Sequence, residues 1–206
     1  MSPNEIIKYI NENIDGRLCD DENCCVFLAS AVYDAKGGNY LEIGSLFGGS
    51  AILASLVMKE HGYDGEVYAI DPFDGYYVGT KSDRGWLVGA EIDPLTNKEV
   101  TIERAQANAK KMGADVTFIK GKASKELIPR TLSFSVVYID GDHWNDGPIN
   151  DWSLVKDICT RFVIFDNCDH RHPAVNKACI EAWSDPEWSL SFKQASIAIF
   201  QREASV

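Results

Sequence analysis

Two clusters of acids and histidines stand out in this chain of 206 residues. Asp140-Gly141-Asp142-His143-Trp144 follows the apolar run SVVYI, and Asp166-Asn167-Cys168-Asp169-His170 follows RFVIF. Carboxylates gathered in one place repel one another unless a cation or a proton intervenes. Oxygen donors of this type suit Mg²⁺, Mn²⁺ or Ca²⁺. If the two runs are neighbouring parallel strands, their ends lie about 5 Å apart, and Asp140 meets the pair Asp166–Asn167. These three are the candidate metal ligands. The competing reading of Asp140 and Asp142 is a self-bonded Asx turn; for Asp166–Asn167 it is an ordinary turn and helix cap. His170 and His172 read as loop histidines.

Such groups need elements to position them, and the central one is Tyr40–Ser50, YLEIGSLFGGS. Tyr40 to Ile43 reads as a buried strand, Gly44, Gly48 and Gly49 as a turn, and Ala51 to Lys59 as the next helix. A helix N-terminus offers unpaired N–H groups and partial positive charge to an anion. Glycine is required there where φ is positive or where a Cβ would strike a ligand. The plainer alternative is a tight turn that binds nothing. The next strand, Glu66–Asp71 (EVYAID), ends in an acid, where nucleoside-binding α/β folds grip ribose hydroxyls. The turn is ExGxxxGGS rather than the dinucleotide pattern GxGxxG, with Glu42 before it and Ser50 opening the helix.

On these residues the chain resembles class I S-adenosylmethionine-dependent methyltransferases, and above all the cation-dependent O-methyltransferases of the catechol and caffeoyl-CoA type, whose first motif has the form ExGxxxGxS. The resemblance covers roughly residues 39–201. It implies that Glu42, Gly44, Ser45, Gly48 and Ser50 hold the methionyl part of S-adenosylmethionine, and Asp71 its ribose. It also implies a metal held by an acid after the fourth strand and an Asp–Asn pair after the fifth, which Asp140, Asp166 and Asn167 match, with Asp140 facing the cofactor too. The family lysine proposed as base, three residues after the first acid, is replaced by His143. Histidine suits that task at neutral pH, so His143 and Asp140 are the candidate catalytic groups. Many members carry an acid at the turn after the third strand to accept from adenine. This chain has Lys122, which cannot accept, leaving backbone at Ala123 or Ser124. The DGDH form also resembles small methyltransferases of sugar- and natural-product-modifying pathways. A catechol-type alignment on Asp-His-Trp instead makes Asp142 the ligand; Asp140 is preferred because it directly ends the apolar strand.

The implied fold is α/β and Rossmann-like. It has a seven-stranded, mostly parallel sheet with an antiparallel C-terminal strand and helices on both faces, all in one domain over 1–206. Helices are expected over Pro3–Ile14 and Asp20–Ala35, so that 1–37 forms an N-terminal helical region packed on the sheet. Pro72–Asn97 is rich in Gly and aromatic residues and is expected to be a long loop facing the substrate. A helix is expected over Glu99–Met112, a strand over Val116–Lys120, a short helix to Leu127, and a helix over Pro148–Cys159. Another helix over Pro173–Trp183 precedes a closing hairpin, Trp188–Lys193 and Ser196–Gln201.

A net charge of −11 argues against nucleic acid, whose phosphates require clustered Lys and Arg, and against an anionic membrane surface. The expected partner is a small-molecule acceptor, and a homo-oligomer is left open. Six cysteines, two of them adjacent, read as reduced thiols, and with no leader-like N-terminus the expected location is cytoplasmic. The reading is a methyltransferase that acts on a hydroxyl with S-adenosylmethionine and Mg²⁺ or another divalent cation. A noncatalytic adenosylmethionine-binding protein and an NAD-linked oxidoreductase on a related fold are the alternatives.

Overall fold

The computed structural model describes residues 1–18, 22–74, 76–79, 86–90, 92–93, 95–194 and 196–203. Its frame is a seven-stranded sheet. The strands are β1 (Asn39–Ile43), β2 (Val67–Asp71), β7 (Thr117–Lys120), β8 (Phe134–Ile139), β9 (Cys159–Phe165), β10 (Trp188–Gln194) and β11 (Ile197–Arg202), in the order β10-β11-β9-β8-β1-β2-β7. The pairs β1–β2, β2–β7, β1–β8 and β8–β9 are parallel, whereas β11 runs antiparallel to both its neighbours. The closing hairpin enters the sheet as expected.

Side chains alternate across the sheet, and each face is buried. One face takes Tyr40, Val136, Tyr138, Phe162, Ile164, Ile197 and Ile199 into a core with the helices α1 (Pro3–Asn13), α2 (Glu22–Ala35), α3 (Gly49–Glu60) and α4 (Ile102–Met112). The other packs Leu41, Val137, Ile139, Val163 and Phe165 against α5 (Gly147–Val155) and α6 (Pro173–Ser184). The N-terminal helices thus serve as core packing on the α3 face. A capping box starts α1: the Ser2 backbone N–H donates to Glu5 at 2.6 Å, and the Ser2 hydroxyl accepts from the Glu5 N–H at 3.4 Å.

Several boundaries differ from the sequence reading. The helix expected from Glu99 starts at Ile102, because Thr101 caps it through the Arg104 N–H at 3.2 Å. Lys98–Glu99 is instead strand β6, paired with β5 (Ile92–Asp93). The long loop contains that pair and a hairpin of β3 (Tyr76–Gly79) with β4 (Trp86–Ala90). Its expected substrate-facing role rests on side chains outside the described residues. The short helix near Leu127 is a turn. Cys159, expected in a helix, opens β9. Cys25 is disulfide-bonded, which corrects the expectation of reduced thiols throughout; among the described residues Cys24, Cys159, Cys168 and Cys179 are thiols outside any disulfide. Among the described residues no helix is long and apolar enough to cross a membrane.

After α1 the chain crosses the Leu46–Gly49 turn as a strap. A Cβ at Gly49 would lie 2.7 Å from Leu18 Cα. Asn108, buried in α4, accepts from the Asp15 N–H at 2.9 Å and donates to the Phe47 carbonyl at 3.0 Å. Asp15 also pairs with Lys98 at 2.8 Å and with Arg104, and Arg17 with the fully buried Asp93 at 3.3 Å.

Gly44 carries the tightest constraint. Its φ is +87°, and a Cβ there would sit 2.1 Å from the Asp140 carbonyl oxygen. The glycine thus permits one strand end to abut another; it does not simply leave room for a ligand. Gly44→Ala should therefore cost about 3 kcal/mol or more, from left-handed strain plus overpacking, read as a lower midpoint in urea denaturation.

Candidate active site at the strand ends

The ladder of the parallel sheet runs on past the formal strand ends. The Gly44 N–H donates to the Ile70 carbonyl at 2.9 Å, Asp140 N–H to Ile43 at 2.8 Å, and Asp166 N–H to Ile139 at 3.0 Å. On the far side the Gly121 N–H donates to the Asp71 carbonyl at 2.9 Å. These bonds set Gly121, Asp71, Gly44, Asp140 and Asp166 along one edge of the sheet, as the sequence reading required of Asp140 and Asp166.

Glu42 lies beneath the glycine turn with no solvent exposure. It accepts from the Tyr40 hydroxyl at 2.9 Å. Burial raises its pKa to about 8, although the hydroxyls of Ser45, Ser50 and Tyr40 pull the other way. Ser45 is near enough to act electrostatically but not in bonding geometry: its Oγ and Glu42 Oε1 are buried with no hydrogen-bond partner. Gly48, at φ +83°, begins α3 without a side-chain cap. An orphaned acid oxygen, an orphaned hydroxyl and a helix N-terminus without a side-chain cap suit the ammonium and carboxylate of a methionyl group.

Asp71, assigned from sequence to a ribose, has a nearer duty. Its Oδ2 accepts from the N–H groups of Ser45 at 2.7 Å and Leu46 at 2.9 Å, and its Oδ1 from Phe73 at 2.6 Å. The carboxylate thus clamps the glycine turn to the end of β2. Burial raises its pKa, and these three N–H bonds oppose the rise.

At the acidic end, His143 Nε2 lies 3.1 Å from Asp140 Oδ1. Asp166 accepts from the buried Tyr138 hydroxyl at 2.9 Å and from the Asn167 N–H at 2.8 Å. Asn167 adopts φ +55°, a conformation asparagine tolerates better than most residues. Burial, and then the charge of Asp140, raise the Asp166 pKa to about 7. Among the described residues no group of three or more His, Cys, Asp or Glu side chains is arranged to hold a metal. The donor set on offer is Asp140, Asp166 and the Asn167 amide. Each Asp166 oxygen keeps acceptor capacity beyond its one bond, and carboxylate and amide oxygens are the donor chemistry that a divalent cation takes.

Sequence reading missed several contributors. Tyr40 and Tyr138 orient Glu42 and Asp166 from inside the core; the clue was a tyrosine in a buried strand, whose hydroxyl must find a partner. His172, read as a loop residue, is held by Asp169 at 3.1 Å and packs its ring 5.4 Å from His143 and 5.9 Å from Trp144. Burial, then the neighbouring His143, lower its pKa. Asp151 on α5 is buried, and desolvation followed by the Asp142 charge raises its pKa to about 7, with Lys122 opposing. Exposed Lys122 is therefore an electrostatic neighbour of Asp151. Ala123 and Ser124 follow at the far end of the edge, both half-buried; the Ser124 carbonyl is used by the Ile128 N–H at 3.1 Å.

The family model described as a methyltransferase domain matches residues 41–168. No curated protein sequence matches the chain. Solved structures similar to it include an O-methyltransferase from Bacillus cereus in complex with SAH, with TM-score 0.64 and 15% identity over 97% of this chain and 90% of that one. The O-methyltransferase NovP superposes with TM-score 0.65 and 19% identity over 87% and 79%. The O-methyltransferase TomG from Streptomyces achromogenes, in complex with SAM, gives 0.61 and 13% over 98% and 89%. At these identities the likeness establishes the fold.

Two outcomes follow from the buried acids. Asp71→Ala strips three backbone N–H groups of their acceptor, so it should lower stability by about 3 kcal/mol as well as cofactor affinity. A ribose contact alone would leave the melting temperature unchanged, and a calorimetric scan of the ligand-free protein separates the two. Burial, and then the Asp142 charge, raise the Asp151 pKa from the ordinary carboxylate range to about 7, so the native state keeps a proton that the unfolded chain releases. Its contribution is intact below pH 4 and is lost as pH rises through 7, on the order of a few kcal/mol. Asp151→Asn should thus gain on the parent protein between pH 5 and pH 8, measured by thermal melts at the two values.

Proposed function

The chain belongs to the methyltransferase-domain family, whose model spans residues 41–168, and from that premise we propose that it transfers a methyl group from S-adenosylmethionine to a hydroxyl of a small molecule with the help of a divalent cation. The observation that carries this reading is the single edge on which the orphaned Glu42 acid and the Asp140 and Asp166 carboxylates stand together. Solved neighbours described in complex with SAH and SAM support it.

Glu42 and Ser45 would receive the methionyl ammonium, and the α3 N-terminus its carboxylate. Asp71 keeps the turn in the shape that makes this site. Asp151, an electrostatic neighbour of Lys122, and the backbone of Ala123 or Ser124 would accept from the adenine amino group that the lysine cannot serve. Asp140, Asp166 and Asn167 would hold the cation, which when bound supplies Lewis acidity that lowers the pKa of the acceptor hydroxyl. His143, whose Nε2 lies 3.1 Å from Asp140 Oδ1, would take the proton. Methyl transfer itself needs chiefly alignment of oxygen, carbon and sulfur, and fixed strand ends are suited to provide it. The Asp140–His143 contact also favours a second reading, a carboxylate–imidazole base that works without metal.

Thermal melts with EDTA and with Mg²⁺ or Mn²⁺, at fixed ionic strength, distinguish the two. A cation at a hundred times its Kd should stabilise the protein by about 2.7 kcal/mol. Asp140→Asn and Asp166→Asn should each lose that gain and most methyl transfer, with the double mutant little worse than either, since groups acting as a unit are not additive. Equal cation shifts in all variants would leave only the metal-free base. Titration with S-adenosylmethionine and with NAD tests the cofactor directly, and binding of NAD alone would overturn the proposal.

A further inference from the structure

Cys168 and Cys179 are both free and both buried, yet their sulfur atoms lie 2.9 Å apart. A bonded pair would stand at about 2.05 Å, so roughly one ångström of movement separates two thiols from a disulfide. Cys168 directly follows the Asp166–Asn167 turn, and Cys179 sits on α6. Lys193 of the terminal hairpin donates to the Cys168 carbonyl and, at 3.1 Å, to its sulfur. A cation at a thiol is the setting in which cysteines react. Between the two cysteines runs the loop that carries Asp169 and His172, and His172 packs on His143 and Trp144.

We propose that Cys168 and Cys179 form a reversible oxidative modification site, whose disulfide fastens the Asp169–His172 loop down over the strand ends. The oxidant is a small peroxide. One sulfur attacks a peroxide oxygen, the O–O bond breaks, water leaves, and a sulfenic acid forms. The second sulfur displaces its hydroxyl as a further water. In sum two S–H bonds break and one S–S bond forms; the sulfurs lose two electrons, and hydrogen peroxide is reduced to two waters. A dithiol reverses the step by exchange. In the reduced protein the loop is anchored by side-chain hydrogen bonds, including Asn176 to the Asp169 carbonyl at 2.5 Å; in the oxidised one its first end, at Cys168, is also joined covalently to α6 at Cys179. The inference concerns the loop alone and does not depend on the methyl-transfer reading.

Arg171 and Lys177 lie between the two cysteines, so trypsin releases 162–171 and 178–193 as separate peptides unless a disulfide holds them. The test is peptide mapping and hydrogen exchange of the full chain before and after a short hydrogen peroxide treatment, and again after dithiothreitol. The joined peptide should form, disappear with dithiothreitol, and be accompanied by roughly tenfold slower exchange at 169–172. Cys179→Ser and, should it fold poorly, Cys179→Ala should show neither change. Absence of the joined peptide from the peroxide-treated parent protein, or a joined peptide with unchanged exchange at 169–172, overturns the proposal. So does a Cys168 that pairs with Cys24 or Cys25 instead.

Discussion

The structure depends on main-chain hydrogen bonds that continue beyond the formal ends of parallel strands. Each carries the ladder one residue into the next loop: Gly44 onto Ile70, Asp140 onto Ile43, Asp166 onto Ile139. A parallel ladder permits this because its bonds slant toward the neighbouring strand rather than closing in pairs. The consequence is chemical. Side chains from three chain segments far apart in sequence acquire fixed relative positions without resting on a flexible loop. The same geometry demands a glycine at 44, since the Asp140 carbonyl occupies the space of any Cβ.

Burial gives that edge its electrostatic character. Glu42 and Asp166 rest on strand ends inside the fold, and desolvation raises both. Tyrosines from the same face, Tyr40 and Tyr138, supply hydroxyl donors to them. A carboxylate held this way is costly unless a proton or another positive charge offsets it. Another acid, Asp71, accepts from the N–H groups of Ser45, Leu46 and Phe73 and so holds the turn that shapes the methionyl end.

Elements outside the sheet close on this edge from two sides. The strap at Asp15–Leu18 lies over the glycine turn and is tied by charged pairs to Lys98, Arg104 and Asp93. The Asp169–His172 loop reaches the acidic side, where its histidine meets His143 and Trp144. The free thiols at the foot of that loop lie next to the terminal hairpin, so the antiparallel ending of the sheet bears on the site as well as on the fold.

Much of this was legible in the sequence. Continuous apolar runs ending in acids marked β2, β8 and β9, and the glycine turn before an apolar helix marked β1 and α3, because burial on both faces leaves no alternation to disguise them. The nearness of the Asp140 and Asp166 strand ends followed from those runs, and the seven-stranded sheet from the closing hairpin and the family resemblance of the glycine turn. Other features were not local. Asp71 has the type and position of a ribose ligand, and only the folded turn shows Ser45, Leu46 and Phe73 donating to it. Glu99 continues a helical pattern, yet pairing with Ile92 draws it into a strand. The nearness of Cys168 to Cys179, of Lys122 to Asp151 and of His172 to His143 depends on how α5, α6 and the last hairpin pack. Sequence by itself determined which residues end the strands, because hydrophobic periodicity is written along the chain. Tertiary structure alone decided what each of those residues faces, because hydrogen-bond partners and desolvation are set by neighbours distant in the chain.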